Sequence, residues 1–274
     1  MTSAEHAAPQ NDWAEPAALP RFIADTITIT WAELIKIRHD PIEMVSRTIQ
    51  PLLWLLVFGQ VIAANRSIPT GTLSYMEYLT PGVLAQSAQF GAIFYGLTVI
   101  WERDLGLLHK LLVSPASRSS LVFGKALAGG IRALVQAFII YLAALVIGVH
   151  LVLNPVTLLG VVLVVVLGSS LFATFSLVVA CFVRSRERFM GIGQLLTMPL
   201  FFASSAMYPV ASMPDWLRVV ATLNPLTYMV DALRGLMVAG AAVGHDLAFD
   251  VAVLAVVLIA LVALGARLYP RLAQ

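Results

Sequence analysis

The sequence predicts an all-α integral membrane protein, and two observations lead to that prediction. Hydrophobic residues make up 59% of the chain and charged residues only 12%, whereas about 25% of residues are charged in an average soluble domain. The hydrophobic residues also form runs of about 20 residues, the length that a helix needs to cross a bilayer, rather than the alternating ten-residue strands of a membrane barrel. The net charge of +2 is too small to indicate a nucleic-acid partner.

The first 40 residues differ from the rest of the chain because polar residues are frequent in them. Residues 1–18 contain neither a basic stretch nor an apolar core, so they predict a disordered cytoplasmic tail rather than a signal peptide. Residues 19–40 repeat their apolar positions with a helical period, which predicts an amphipathic helix in the membrane interface with Trp31 at headgroup depth. Residues 41–274 are expected to form a single transmembrane domain.

Six stretches of that domain are apolar enough to predict transmembrane helices. The positions of Lys and Arg support the number six: with the N-terminus in the cytoplasm, thirteen of them lie on the cytoplasmic side and three on the other. We therefore expect a multi-pass protein of the plasma (inner) membrane with both termini in the cytoplasm. The six predicted spans are 48–64, 78–100, 126–149, 155–183, 189–210 and 247–266.

The segment between the fifth and sixth predicted spans is apolar but interrupted by prolines. Pro214 suits the first turn of one short helix, and Asn224-Pro225 is typical of an N-cap followed by proline at the first helical position. The two helices, of about 10 and 15 residues with the second ending near Gly240, are too short to span a bilayer. They predict a re-entrant helix pair that enters the membrane from the outer side.

A charged stretch at residues 101–115 separates the second and third predicted spans. Its leucines at positions 107, 108, 111 and 112 form one apolar stripe on a helix, with acidic and basic residues around it. Ser114-Pro115 marks the end, because the residue before a proline is biased away from the α region. The pattern predicts a short cytoplasmic amphipathic helix, which either binds a partner or lies on lipid headgroups.

Residues for catalysis or for metal binding are missing from the sequence. There is no His-Glu-x-x-His zinc motif, no Gly-x-Ser-x-Gly elbow and no phosphate loop, and the single Cys181 rules out an internal disulfide. The acidic residues can all be placed outside the span cores, which argues against a proton- or sodium-driven carrier. We expect no catalytic residue, metal or cofactor in this chain. An ATP-independent channel or facilitator and a non-transporting scaffold remain alternatives.

A few polar residues nevertheless fall inside the predicted spans. Arg132 is the one charged residue there. Its side chain either extends to the inner interface of the membrane, or it faces a water-filled cavity together with Gln136. In the second interpretation it would help to hold an anionic or zwitterionic substrate. Gln86, Gln89 and Gln194 are candidates for hydrogen bonds between helices, or for a substrate path.

Two motifs resemble a known family. One motif resembles the first cytoplasmic loop of type-2 ABC exporter permeases, the family that includes daunorubicin-resistance and nodulation-type exporters. It comprises Glu102-Arg103, Gly106, Leu111 and Ser114-Pro115, with Arg118 and Gly124-Lys125 beyond. The outer segment that begins at Asn224-Pro225 resembles the same family's second motif, and the resemblance covers residues 19–274. The chain departs from the family at 107–109, where many members have a small or acidic residue. The second motif comprises Asn224, Pro225, Tyr228, Asp231 and Arg234.

The resemblance implies a permease that dimerises with an identical or related copy and pairs with two ATP-binding subunits, which bind ATP and Mg. It also implies that the outer hairpin lies over the exit path. The predicted spans are apolar and nearly free of charge, with membrane lipid around them, so we expect export of a small amphiphilic drug, a lipid or a glycan-linked compound. The resemblance also makes the 101–115 stretch a coupling helix that docks on the ATPase. Its expected coupling residues are Glu102, Arg103, Gly106, Leu107, Leu108, His109, Lys110, Leu111, Ser114 and Pro115.

Overall fold

The computed structural model describes residues 18–37, 46–65, 68, 70–107, 116–183 and 185–269. All regular structure in these ranges is helical and none of it is strand, which confirms the predicted all-α class. The predicted tail at residues 1–18 lies, except for its last residue, outside the described part of the chain.

Nine α-helices are found in the described ranges. The second contains a π-helical turn at Trp54–Gly59, and a short 3₁₀ turn at Val210–Ser212 precedes the seventh. The helices are α1 (Ala18–Ile37), α2 (Ile49–Asn65), α3 (Tyr75–Asp104), α4 (Arg118–Ile147), α5 (Pro155–Ala180), α6 (Arg186–Phe202), α7 (Asp215–Leu223), α8 (Pro225–Met237) and α9 (Leu247–Leu268).

Local sequence explains where several helices begin and end. Ser74 and Glu77 form a reciprocal capping box at the start of α3. Asn154 and Asn224 cap α5 and α8, and in both cases a proline takes the first helical position, where its missing N–H costs nothing. Gly148 ends α4 in the left-handed conformation, with φ of +88°.

Four helices are long and apolar enough to cross a membrane: α3, α4, α5 and α9. The helix α2 is apolar but shorter, and α6 has 17 residues, so the count of six spans stays a prediction. The expected fifth span at 189–210 was too long, since α6 ends at Phe202 and residues 203–209 form no helix. Residues 203–207, which are Ala-Ser-Ser-Ala-Met, are nevertheless buried, and their small uncharged side chains made them resemble the end of a span.

The helix α5 occupies the centre of the bundle and packs against α3, α4, α8 and α9, while α1 lies on α4 and α6 on α3. Arg234 of α8 contacts Tyr78 at the start of α3, so the hairpin formed by α7 and α8 lies at that end. Tyr269, just after α9, packs in the same cluster as Val99 and Ile100 near the end of α3. We call these the hairpin end and the α3–α4 end.

The helix α1 is amphipathic, as expected. Thr26, Thr30 and Glu33 are buried, and the Thr30 hydroxyl donates to the backbone carbonyl of Gly124 in α4 at 3.1 Å. The opposite face is apolar and exposed, as suits a membrane interface, although that placement stays a prediction. This face comprises Leu19, Ile23, Ile27, Trp31 and Ile35.

Candidate functional site

A buried ion cluster holds three helices together at the α3–α4 end. The Lys125 ammonium in α4 is 2.8 Å from a carboxylate oxygen of Glu33 in α1 and 2.5 Å from one of Glu102 in α3. Lys125 is 1% exposed, Glu33 4% and Glu102 5%. Charges removed from water in this way are tolerated when they are paired at close range, so the three helices are fixed to one another here.

Two members of this cluster differ from the sequence-based prediction. Lys125, just before the third predicted span at 126–149, was expected on the cytoplasmic side, and Glu102 on a helix that faces a partner, whereas both side chains point into the protein. The reason is that α3 continues to Asp104 and α4 already begins at Arg118, so both residues lie on long packed helices. The N-cap at Ser117, whose hydroxyl accepts from the Ser120 N–H, was the local signal for that early start.

A second, more exposed network joins the end of α3 to its neighbours. Arg103 donates from Nη1 to the backbone carbonyl of Val183, just beyond α5, at 3.1 Å. Asp104 is 2.9 Å from the guanidinium of Arg186, the first residue of α6, and that guanidinium also lies 4.1 Å from the centre of the Trp101 ring. The last turn of α3 therefore touches α4, the residue just beyond α5 and the start of α6.

The predicted continuous helix from Trp101 onward is wrong at its start. Residues 101–104 belong to α3, and the chain turns at Leu105-Gly106, where Gly106 has φ of +70°. Such a conformation suits glycine and breaks a helix. Leu105 and Leu107 are 67% and 41% exposed beside this turn. The other predicted coupling residues, Leu108, His109, Lys110, Leu111, Ser114 and Pro115, lie outside the described residues.

At the hairpin end, Asn224 connects α6 to α8. Its side-chain oxygen accepts from the Leu226 N–H at 3.0 Å and caps α8. Its amide nitrogen donates to the carbonyls of Leu200 and Ala203 at 2.6 and 2.7 Å, which satisfies backbone groups at the end of α6. The sequence predicted the cap, and the additional link to α6 could not be foreseen from the local pattern. The helix ends at Met237, not near Gly240.

The hairpin also contains a buried ion pair. Arg234 is 2% exposed, and its guanidinium lies 3.2 Å from the Asp231 carboxylate and 3.9 Å from the centre of the Tyr78 ring. It also donates to the Ser205 carbonyl at 2.6 Å. Asp231, which was expected outside the span cores, lies in α8 and is only 5% exposed. The predicted motif therefore attaches α8 to α3, while Tyr228, whose hydroxyl donates to the Thr222 carbonyl at 2.6 Å, closes the hairpin.

Arg132 and Gln136 share a small cavity, as one of the two interpretations of Arg132 required. The cavity has a volume of about 50 Å³ and lies between α3 and α4, with Arg47 at its edge. Arg132 donates to the Glu33 backbone carbonyl at 3.1 Å. Gln86 and Gln89 are buried in α3 away from this cavity, and Gln194 is exposed on α6, so the proposed polar path does not come together in one place.

Comparison with known proteins gives the family. The family model described as ABC-2 type transporter matches residues 24–238. The chain is 31% identical over 219 residues to a transport permease named ycf38 from Cyanophora paradoxa, a match that covers 78% of this chain and 74% of that protein. It is 24% identical over 219 residues to the daunorubicin resistance ABC transporter permease protein DrrB1 of Streptomyces coeruleorubidus, with 78% and 75% covered.

A third relative carries a similar name. The chain is 25% identical over 220 residues to the doxorubicin resistance ABC transporter permease protein DrrC of Mycobacterium tuberculosis, and the match covers 80% of this chain and 79% of that protein. These relatives, the all-helical fold and the two loop motifs agree with one another. The chain therefore belongs to the ABC-2 type transporter family, and the family that its motifs resemble is confirmed.

Proposed function

We propose that this chain is the membrane-spanning subunit of an ATP-driven exporter, and that separate ATP-binding subunits supply the energy. Membership in a family of ABC transporter permeases supports the pairing. The sequence contains no phosphate loop of its own, which agrees with that division of work. In this proposal the α3–α4 end faces the cytoplasm, in accordance with its excess of Lys and Arg.

The observation that carries the proposal is the surface at the end of α3. Trp101, Leu105 and Leu107 are exposed there by 50%, 67% and 41%. Apolar side chains outside the membrane are typical of a site that binds another protein. They lie directly beside the ion cluster that fixes α3 to α1 and α4, so a partner bound to them would pull on several helices at once.

This arrangement suggests how ATP binding would be coupled to transport. Closure of two ATP-binding subunits around ATP would move the attached ends of α3, and the ion cluster would transfer that movement to α1 and α4. The exposed Asp104–Arg186 pair would transfer it to α6. A dimer of the chain would then shift between inward-facing and outward-facing states, because the ATP-bound partner prefers one of them. At the opposite end the hairpin would cover the exit.

The substrate class that we propose is a small amphiphile, such as a drug, a lipid or a glycan-linked compound. The four long helices are almost free of charge within their apolar windows. Surfaces of that kind suit a molecule with an apolar body better than an inorganic ion.

The test is co-purification of the chain with the ATP-binding subunits of the same cell, followed by mass spectrometry in mild detergent. We expect two permeases and two ATP-binding subunits. The double variant Leu105→Asp with Leu107→Asp should lower the amount of bound ATP-binding subunit at least about tenfold, because charges placed in an apolar contact must be desolvated.

Leu223→Asp is the matched control. Leu223 is 79% exposed at the hairpin end, where no ATP-binding subunit is expected. It should leave the complex intact. A chain that purifies without any ATP-binding subunit, even after co-expression, would contradict the proposal and favour an ATP-independent facilitator or a scaffold.

A further inference from the structure

The cavity beside Arg132 is lined by basic rather than acidic side chains among the described residues. Two arginines, Arg47 and Arg132, line it, and no acidic side chain among the described residues does. Both guanidinium groups lie against aromatic rings: Arg47 is 5.5 Å from the centre of the Phe94 ring, and Arg132 is 5.2 Å from that of Tyr95. An aromatic face can hold a guanidinium in position without using its edge, as the Tyr95 ring does for Arg132.

Two polar atoms at this cavity have no hydrogen-bond partner among the described residues. They are the buried Nε of Arg132 and the side-chain oxygen of Gln136, a residue that is only 4% exposed. Rotation of the amide by 180° exchanges its oxygen and its NH₂ group, so Gln136 can also present a donor. Buried polar groups are nearly always paired, and these atoms therefore point to a ligand that the cavity receives.

The position of the cavity suggests what that ligand is. Arg47 comes directly before α2, the short apolar helix that begins at Ile49. The Glu33 carbonyl that Arg132 binds belongs to α1, whose opposite face exposes Trp31 and other apolar residues. The cavity thus lies where the amphipathic helix meets the first apolar helix, which in the proposed orientation is the depth of lipid headgroups.

We propose that this cavity binds the phosphate of a membrane phospholipid. Arg132 supplies the positive charge and Gln136 donates a further hydrogen bond. Basic pockets between transmembrane helices on the cytoplasmic side are known to hold lipid headgroups. The cavity is small, about 50 Å³, so we place only the headgroup in it and the acyl chains on the outer surface of the helices. The inference rests on the membrane orientation given under the proposed function.

The experiment uses the purified full-length chain after removal of lipid, and native mass spectrometry counts the lipids that rebind. Phosphatidylglycerol is the probe, diacylglycerol with the same acyl chains tests whether the phosphate is needed, and inorganic phosphate tests for a site for the free ion. We expect one phosphatidylglycerol per chain to bind above the background of other lipids. Arg132→Gln should weaken that binding about fivefold, the contribution of one basic residue near a membrane surface.

Arg267→Gln is the control, because Arg267 is exposed in the last turn of α9 at the same end of the bundle. It should bind phosphatidylglycerol as the wild type does. Gln136→Leu keeps both arginines and tests the same site if Arg132→Gln does not fold. It should weaken the binding of phosphatidylglycerol at least about threefold, because one hydrogen bond is lost.

Three results would overturn the proposal: wild-type lipid affinity in both cavity variants, equal binding of diacylglycerol, or displacement of phosphatidylglycerol by inorganic phosphate at an equal concentration. The last result would assign the cavity to a soluble phosphate instead. Since the measurement requires no ATP-binding subunit, its failure would leave the proposed coupling through α3 unaffected.

Discussion

Replacement of Lys125 by Met should destabilise the protein more than any other loss of a single positive charge in α4. The change leaves two buried carboxylates, from Glu33 and Glu102, without the ammonium between them. The two oxygens that Lys125 binds are at most about 5.3 Å apart, the sum of the 2.8 and 2.5 Å distances. At an effective dielectric constant of about 20, two negative charges at that separation repel by about 3 kcal/mol.

This value lies at the lower end of the roughly 3–5 kcal/mol that removal of one partner from a buried ion pair costs. One kcal/mol shifts the unfolding midpoint of a chain of this size by about 2–4 °C, so we expect Lys125→Met to lower it by about 6–12 °C. The midpoint is measured in mild detergent from tryptophan fluorescence. Arg118→Met, which removes an exposed charge from the first turn of the same helix, should leave it unchanged.

A double variant tests whether the unpaired carboxylate charge, rather than the changed side-chain shape, destabilises the Lys125→Met protein. Lys125→Met combined with Glu102→Gln removes one of the two carboxylate charges and should recover most of the lost stability, because neutral replacements of a buried ion cluster are often tolerated. A Lys125→Met protein with the same unfolding midpoint as the wild type would show that the buried charges are not held at the stated distances. It would also contradict the proposal that the ion cluster transfers movement from α3 to α1 and α4.

Three further variants have matched controls in the same chain. Asn224→Ala should lower the free energy of unfolding by about 2–4 kcal/mol, because it removes a helix cap and two hydrogen bonds to carbonyls at the end of α6. Asn154→Ala, which removes the exposed cap of α5, should lower it by about 1 kcal/mol. Equal shifts of the unfolding midpoint in the two variants would contradict the role of the two carbonyls. Asp231→Asn should lower the free energy of unfolding by about 3 kcal/mol, because it leaves the buried Arg234 without its counter-ion. Asp215 forms an exposed ion pair with the same sequence spacing, so Asp215→Asn should leave the unfolding midpoint unchanged. Gly96→Ala should lower the free energy of unfolding by about 1–3 kcal/mol, because the added methyl group would meet Ser176 and lie 2.6 Å from the Phe189 ring. In the control Gly191→Ala the methyl group meets nothing within 4 Å. A Gly96→Ala protein as stable as this control would refute the close packing of α3 on α5.

Local sequence was sufficient for the features that depend on neighbouring residues. The Asn-Pro cap of α8, the amphipathic α1 and the long apolar helices all follow from spacing and from the chemistry of single residues. The predicted fifth span went too far because hydropathy reports burial and not helicity. Residues 203–207 are buried under the hairpin without forming a helix.

The ion cluster could not be predicted in the same way. Glu33 and Lys125 are 92 positions apart, and no periodic pattern links two such positions. Each charge, considered alone, is typical of a helix end exposed to water, and only the packing of α1 against α4 removes them from it. Tertiary contacts between distant segments also brought Asp231 to Gly244 and Asn224 to Leu200. The buried charged residues were therefore the part of the candidate site that sequence reasoning missed.

The same cluster has a consequence for the order in which the protein is made. A ribosome adds about 5–20 residues each second, so Glu33 is synthesised roughly 5–18 s before Lys125, given the 92 positions between them. During that interval α1 has no α4 to dock on, and the Glu33 carboxylate lacks the ammonium that it binds in the folded protein. The helix α1 therefore completes its docking only after α4 has been synthesised.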